Sequence, residues 1–197
     1  INDTGLANQT ITFGTLNPVT YGDASFTLSA TASSNLAVTF TSSDENIATV
    51  SGNTVTITGA GTVAITALQE GNGTYNPAPA VPQELIVNQK VLTVAGAAVT
   101  DKVYNGGDVA EVTGTLSGIV GDDEVILDGT GQFATVDVAN GIAVETLYGI
   151  TGTDAGNYLL TQPGSLTGNI VPAELTIVNA VATDKVYNAN TVAVITG

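Results

Sequence analysis

Cysteine, histidine, methionine, tryptophan and arginine are all missing from this 197-residue sequence, and its only basic side chains are Lys90, Lys102 and Lys185. Each absence closes a class of function. Without Cys or His, no Ser-His-Asp or Cys-His arrangement can be assembled. Zinc loses its usual ligands, and no disulfide supports the fold. Three cations against 18 Asp and Glu leave a net charge of −15. Such a surface repels nucleic acid and anionic lipid, because binding either needs Lys or Arg to replace counterions. Aromatics make up only 5% of the chain, so a stacking platform for sugar rings is thin, although paired carboxylates remain open as glycosidase-type chemistry. No apolar run reaches the roughly 18 residues that span a bilayer. No signal-peptide pattern appears in these residues, and the expectation from a start at Ile1 is a mature protein or an internal fragment.

What is present is a strand-forming chain. Hydrophobic residues make up 43%, too many for a disordered chain, and Val, Ile and Thr favour a pleated, half-buried surface. Thr10–Phe13, Ser25–Ala30, Val38–Phe40, Ile47–Val50, Thr54–Ile57, Val63–Thr66 and Leu85–Val87 form short runs, mostly alternating between apolar and polar residues. Tyr21-Gly22-Asp23, Ser42-Ser43-Asp44, Ser51-Gly52-Asn53 and Gly59-Ala60-Gly61 break them. Leu92–Val94, Ala110–Thr113, Val125–Leu127, Ala134–Val138, Ala143–Leu147, Tyr158–Thr161 and Ser165–Ile170 continue the style. Seven short strands in about 80 residues predict an all-β fold of tandem immunoglobulin-like Greek-key β-sandwiches.

A repeat stands out. LTVAGAAVTDKVYNGGDVAEVTG from Leu92 to Gly114 returns as LTIVNAVATDKVYNANTVAVITG from Leu175 to Gly197, 83 residues later. Thr100–Asn105 and Thr183–Asn188 are identical. This interval is too long for most solenoids and suits a small sandwich. The organisation read from it is an N-terminal linker at 1–8, domains at 9–89 and 90–172, and a partial further repeat at 173–197. Short linkers are placed at Val87–Val91 and Val171–Glu174.

Gln9–Phe13, Thr20-Tyr21-Gly22-Asp23, Leu28–Ser34, Val38–Ser43, Ile47–Val50, Thr62–Ala67 and Asn72–Asn76 resemble a bacterial immunoglobulin-like repeat. Lys102–Gly106, Leu116-Ser117-Gly118, Gly121-Asp122-Asp123 and Asp154–Tyr158 resemble the YDG family of adhesin repeats, with Tyr104-Asn105-Gly106 and Tyr187-Asn188-Ala189 departing from Tyr-Asp-Gly. The resemblance implies a filamentous or gliding-type surface adhesin of Bacteroidetes character.

Several residues are candidate sites. Asp154, Gly156 and Tyr158 have the Asp-x-Gly-x-Tyr spacing of a tyrosine corner, in which the hydroxyl turns back to nearby backbone; Tyr75 is a candidate for the same part in the first domain. Tyr104 and Tyr187 recur and are read as structural. Asp122, Asp123 and Glu124, or Asp101 with Asp108, offer oxygens of the kind Ca²⁺ takes, against the plainer reading of solvated acidic turns. Lys102 and Lys185 are candidates for a Lys–Asn isopeptide cross-link, with Asn140, Asn157 or Asn169 as partner, against the plainer reading of a surface Lys beside Asp101.

The expected function is non-enzymatic: an extracellular stalk or filament module of a secreted or surface-displayed bacterial adhesin. Its partners would be neighbouring repeats of the chain and other copies in a filament, with neither nucleic acid nor membrane insertion. The alternative is an adhesive module that itself binds a glycan or surface protein, with Tyr104, Tyr148 and Tyr187 as the available aromatics and Ca²⁺ as a stiffener.

Overall fold

The computed structural model describes residues 5–196; the first four residues of the segment read as an N-terminal linker lie outside them. The chain is all-β. In the first segment the strands are β1 (Ile11–Phe13), β2 (Val19–Thr20), β3 (Phe26–Thr27), β4 (Ala30–Ala32), β5 (Thr39–Ser42), β6 (Ala48–Ser51), β7 (Thr54–Ile57), β8 (Gly61–Leu68) and β9 (Val81–Asn88). The second carries β10 (Lys90–Val99), β11 (Lys102–Val103), β12 (Val109–Ala110), β13 (Val112–Ser117), β14 (Ile126–Phe133), β15 (Ala139–Thr151), β16 (Tyr158–Thr161) and β17 (Leu166–Val171). The tail adds β18 (Val181–Ala182) and β19 (Ile195–Thr196). The single helical element among the described residues is a 3₁₀ turn at Ala155–Asn157.

Strands neighbour one another in the orders β2-β9-β8-β5, β3-β7-β6 and β1-β4 in the first segment. In the second they run β11-β17-β15-β14-β12 and β13-β10-β16. Three runs differ from the sequence pattern, the first being Ala110–Thr113, which divides between β12, paired with β14, and β13, paired with β10. The alternating run Ser25–Ala30 is two strands, not one: β3 pairs with β7, β4 pairs with β1, and Leu28 is buried at the switch, its N–H bonded to Asn53 O. The run Ala134–Val138 is a loop, because Thr135 Oγ1 bonds Asp137 Oδ2 and also takes the Asp137 N–H, closing a local turn that competes with a ladder.

At several pairings, corresponding positions in the two segments lie 83 residues apart. β2 runs parallel to β9 with Val19 opposite Val87, and β11 runs parallel to β17 with Lys102 opposite Ile170. Tyr21 N–H donates to Asn88 O, and Tyr104 N–H donates to Val171 O, both at 2.9 Å. Ala7 bridges Tyr75 in parallel, as Lys90 pairs with Tyr158. The repeat period therefore reaches back through the first segment, where little sequence identity marks it.

The segment Val87–Val91, read from sequence as a linker, is strand on both sides of Gln89, the single unpaired residue between β9 and β10. Packing crosses this point. Ile65, Leu85 and Val87 of the first segment belong to one buried cluster with Leu92 and Tyr158 of the second. A smaller cluster of Ala110, Phe133, Ile142, Val144 and Ile170 fills the far part of the second segment. Among the described residues, the tail contributes none to either cluster. Leu92 is 0% exposed, whereas its repeat partner Leu175 is 95% exposed.

Candidate functional site: the joint between the two segments

The most organised polar cluster lies where the segments meet, and it is built by turns. Asp123 N–H bonds Val120 O, closing the turn after β13 and presenting the Asp123 carboxylate. Asp154 supports this turn from the opposite loop: its Oδ2 accepts the Glu124 N–H at 2.9 Å, and its own N–H reaches Glu124 O at 3.3 Å. Gly152 makes the approach possible. Its φ is +119°, and a Cβ there would lie 2.2 Å from Glu124 O.

Two phenols converge on Asp123. Tyr21, at the end of β2, donates its hydroxyl to Asp123 Oδ2 at 2.8 Å. Tyr158, at the start of β16, donates to the same oxygen, and its own oxygen accepts the Val120 N–H at 2.9 Å. The rings meet edge to face at 5.5 Å and 87°, the arrangement the ring quadrupoles favour. Tyr21 and Tyr158 are 8% and 3% exposed. Gly22 lets the first segment come close: with φ +86°, its missing Cβ would sit 2.6 Å from Val120 Cγ2. Further bonds flank the centre. Asn157 Oδ1 accepts the Ala60 N–H at 2.8 Å, and Gln89 Nε2 donates to Gly156 O and Tyr158 O at 2.9 and 3.0 Å.

Burial, and then the bond to Asp123, pushes both phenols up to about 12 from the usual 10. The folded chain therefore holds these protons more tightly than the unfolded chain does. The stabilisation is complete below about pH 10 and is lost as pH rises through the window from about 10 to about 12. Absorbance titration of tyrosinate should resolve a late-ionising component that Tyr21→Phe and Tyr158→Phe each reduce, with thermal stability falling over the same window. A titration complete by about pH 11 would contradict this.

The other sequence candidates are placed as follows. Asp122 is exposed and Glu124 Oε2 accepts the Thr153 hydroxyl, so the three consecutive acids point to different partners. Asp101 accepts from Asn169 Nδ2 and Asp108 from Gln132 Nε2. Among the described residues, no group of three or more acidic side chains is arranged to hold a metal ion. Lys102 Nζ donates to the carbonyls of Gly107 and Val109 at 2.6 and 3.0 Å, not to Asn140, Asn157 or Asn169. Lys185 repeats the clamp on Asn190 O and Val192 O at the same distances. Each ammonium closes its own loop, and Gly106 and Ala189 hold the left-handed position within it. Tyr148 is buried and donates to Thr113 O, while Tyr104 and Tyr187 are 44% and 90% exposed. Tyr75 is half-buried.

Tyr21, Gln89 and Val120 are not singled out from sequence as site residues, and Asn157 stands there only as a candidate cross-link partner, whereas its Oδ1 accepts the Ala60 N–H. One signal pointed to Tyr21: Tyr21-Gly22 precedes the recurring Tyr104-Asn105-Gly106 by one repeat period.

Residues 88–165 match the YDG domain family. No curated protein matches the chain.

Proposed function

We propose that this chain is a non-catalytic spacer or filament segment of a secreted or cell-surface bacterial adhesin, of the gliding or filamentous type found in Bacteroidetes. The two segments are read as immunoglobulin-like Greek-key sandwiches, with β9-β8-β5 and β17-β15-β14 as the sheets corresponding to strands G, F and C of that fold. The observation that carries the proposal is the joint. Successive modules are separated by one unpaired residue, Gln89, and are held by Tyr21, Asp123 and Tyr158. Such a junction leaves few free dihedral angles and resists bending, as a spacer must in order to project a tip. The acidic surface keeps neighbouring arrays soluble and mutually repelling.

The rival role is an adhesive module with its own ligand. Small-angle scattering of the full chain, a glycan array, and thermal melts in Ca²⁺ and in EDTA separate the two. A spacer gives a stiff particle, no specific glycan signal and the same Tm in both melts. Saturable binding of one glycan class, or a Ca²⁺-dependent rise in Tm, would favour the adhesive role.

A further inference from the structure

The joint has a second, unfilled half-site at the far end of the second module. Tyr104 stands where Tyr21 stands one period earlier: each follows a strand parallel to the module's last strand, and each bonds its N–H to the last strand's terminal carbonyl. Tyr21 is sealed by the following module, but Tyr104 is 44% exposed. Lys102, Ile170 and Ala139 form one row of the ladder. Just beyond it lie Val103, 58% exposed, and Val138, 46% exposed. In the first module the corresponding row is Val19, Val87 and Gly61, and the neighbouring Ala60 is bonded to Asn157 of the next module. The chain leaves by the same corner in both modules, through Gln89 after β9 and Pro172 after β17.

We propose that Tyr104, with Val103 and Val138, is the docking face for a following copy of this same module, which would grip Tyr104 with its own Asp123–Tyr158 pair. The filled joint sets part of the partner chemistry, a carboxylate to accept the phenol proton and a ring edge to meet the tyrosine; Asn105 stands where Gly22 stands and carries the Cβ that Gly22 lacks, so the copy's Val120 must turn its side chain aside there. The tail brings the opening residues of the repeat to this corner, with the Lys185 clamp closed and Leu175 exposed. The inference rests on the spacer reading only in taking the copies to follow one another along the chain.

The test inserts a second copy of residues 90–172 after Pro172 of the full chain. The inserted copy carries Tyr104→Phe, so that the original Tyr104 can be followed alone. Nitration by tetranitromethane, read by mass spectrometry, should slow at Tyr104 by roughly tenfold relative to the parent chain, because labelling then waits on local opening. Asp123→Ala in the inserted copy should restore the parent rate. An unchanged rate at Tyr104, with a second set of slowly exchanging β15 amides showing the copy to be folded, would overturn the proposal. Should that copy not fold, appending residues 115–172 after Gly197 completes the tail's own copy and is read in the same way. Failure of both copies to fold on an intact parent also overturns it, since the joint should support them. Scattering on the same samples keeps the two ideas apart: a stiff particle with a reactive Tyr104 sinks the joint alone, and a flexible or compact one with a protected Tyr104 sinks the spacer alone.

Discussion

Asp123→Ala should destabilise the full chain by about 3–5 kcal/mol, because it leaves two buried phenol hydroxyls without their acceptor at a cost of roughly 1–3 kcal/mol each and also removes a charge-assisted pair of bonds. Tyr21 and Tyr158 both donate to Asp123 Oδ2, and they come from opposite sides of the joint. No other acceptor for either hydroxyl is found among the described hydrogen bonds, and both rings are buried. In a chain of this length the loss corresponds to a Tm lower by on the order of 10 °C. Asp123→Asn keeps an acceptor oxygen and should lose less. Tyr21→Phe removes one donor and leaves the carboxylate its other partner, so it too should cost less, and combining it with Asp123→Ala should be clearly non-additive. Urea unfolding of the parent and these four variants measures all of this. An Asp123→Ala chain within about 0.5 kcal/mol of the parent would mean that the contact is incidental.

The second large effect is expected at Leu92. It is fully buried in β10, opposite Leu160 of β16, and belongs to the cluster that also contains Ile65, Leu85 and Val87 from the first segment. Leu92→Ala should cost about 2–5 kcal/mol through lost transfer energy and the cavity left behind. Its distribution matters as much as its size. Because the cluster is shared, hydrogen exchange should speed up in β8 and β9 as well as in β10 and β16. Ile170→Ala, an equally buried site in the separate far cluster, should act mainly on β11, β14, β15 and β17. Unchanged exchange in β8 and β9 of the Leu92→Ala chain would show that the two segments do not share a core.

Much of the architecture was open to reading in one dimension. The identical Thr100–Asn105 and Thr183–Asn188 reveal the period, and Gly52-Asn53 between alternating runs marks the turn on which β6 and β7 close. The run Ser25–Ala30 misled because alternation reports which face a side chain takes, not which sheet it joins. The candidate site was half visible. Asp154 and Tyr158 stand out through their spacing and Asp123 as part of the acidic run Asp122–Glu124, but Tyr21 lies 102 residues from Asp123, and no local pattern encodes a meeting over that distance.

The loops clamped by Lys102 and Lys185 show what the sequence determined by itself. Donor and acceptors lie five to seven residues apart, so the loop closes the same way in a packed module and in a tail whose described residues join neither cluster. Leu92 and Leu175, or Tyr21 and Tyr104, show what the tertiary structure alone decided. These pairs occupy matching positions one period apart, yet one member is buried and the other faces water. Burial requires strands from far along the chain to arrive together, and whether they do is a property of the assembled layers rather than of the residue or its neighbours.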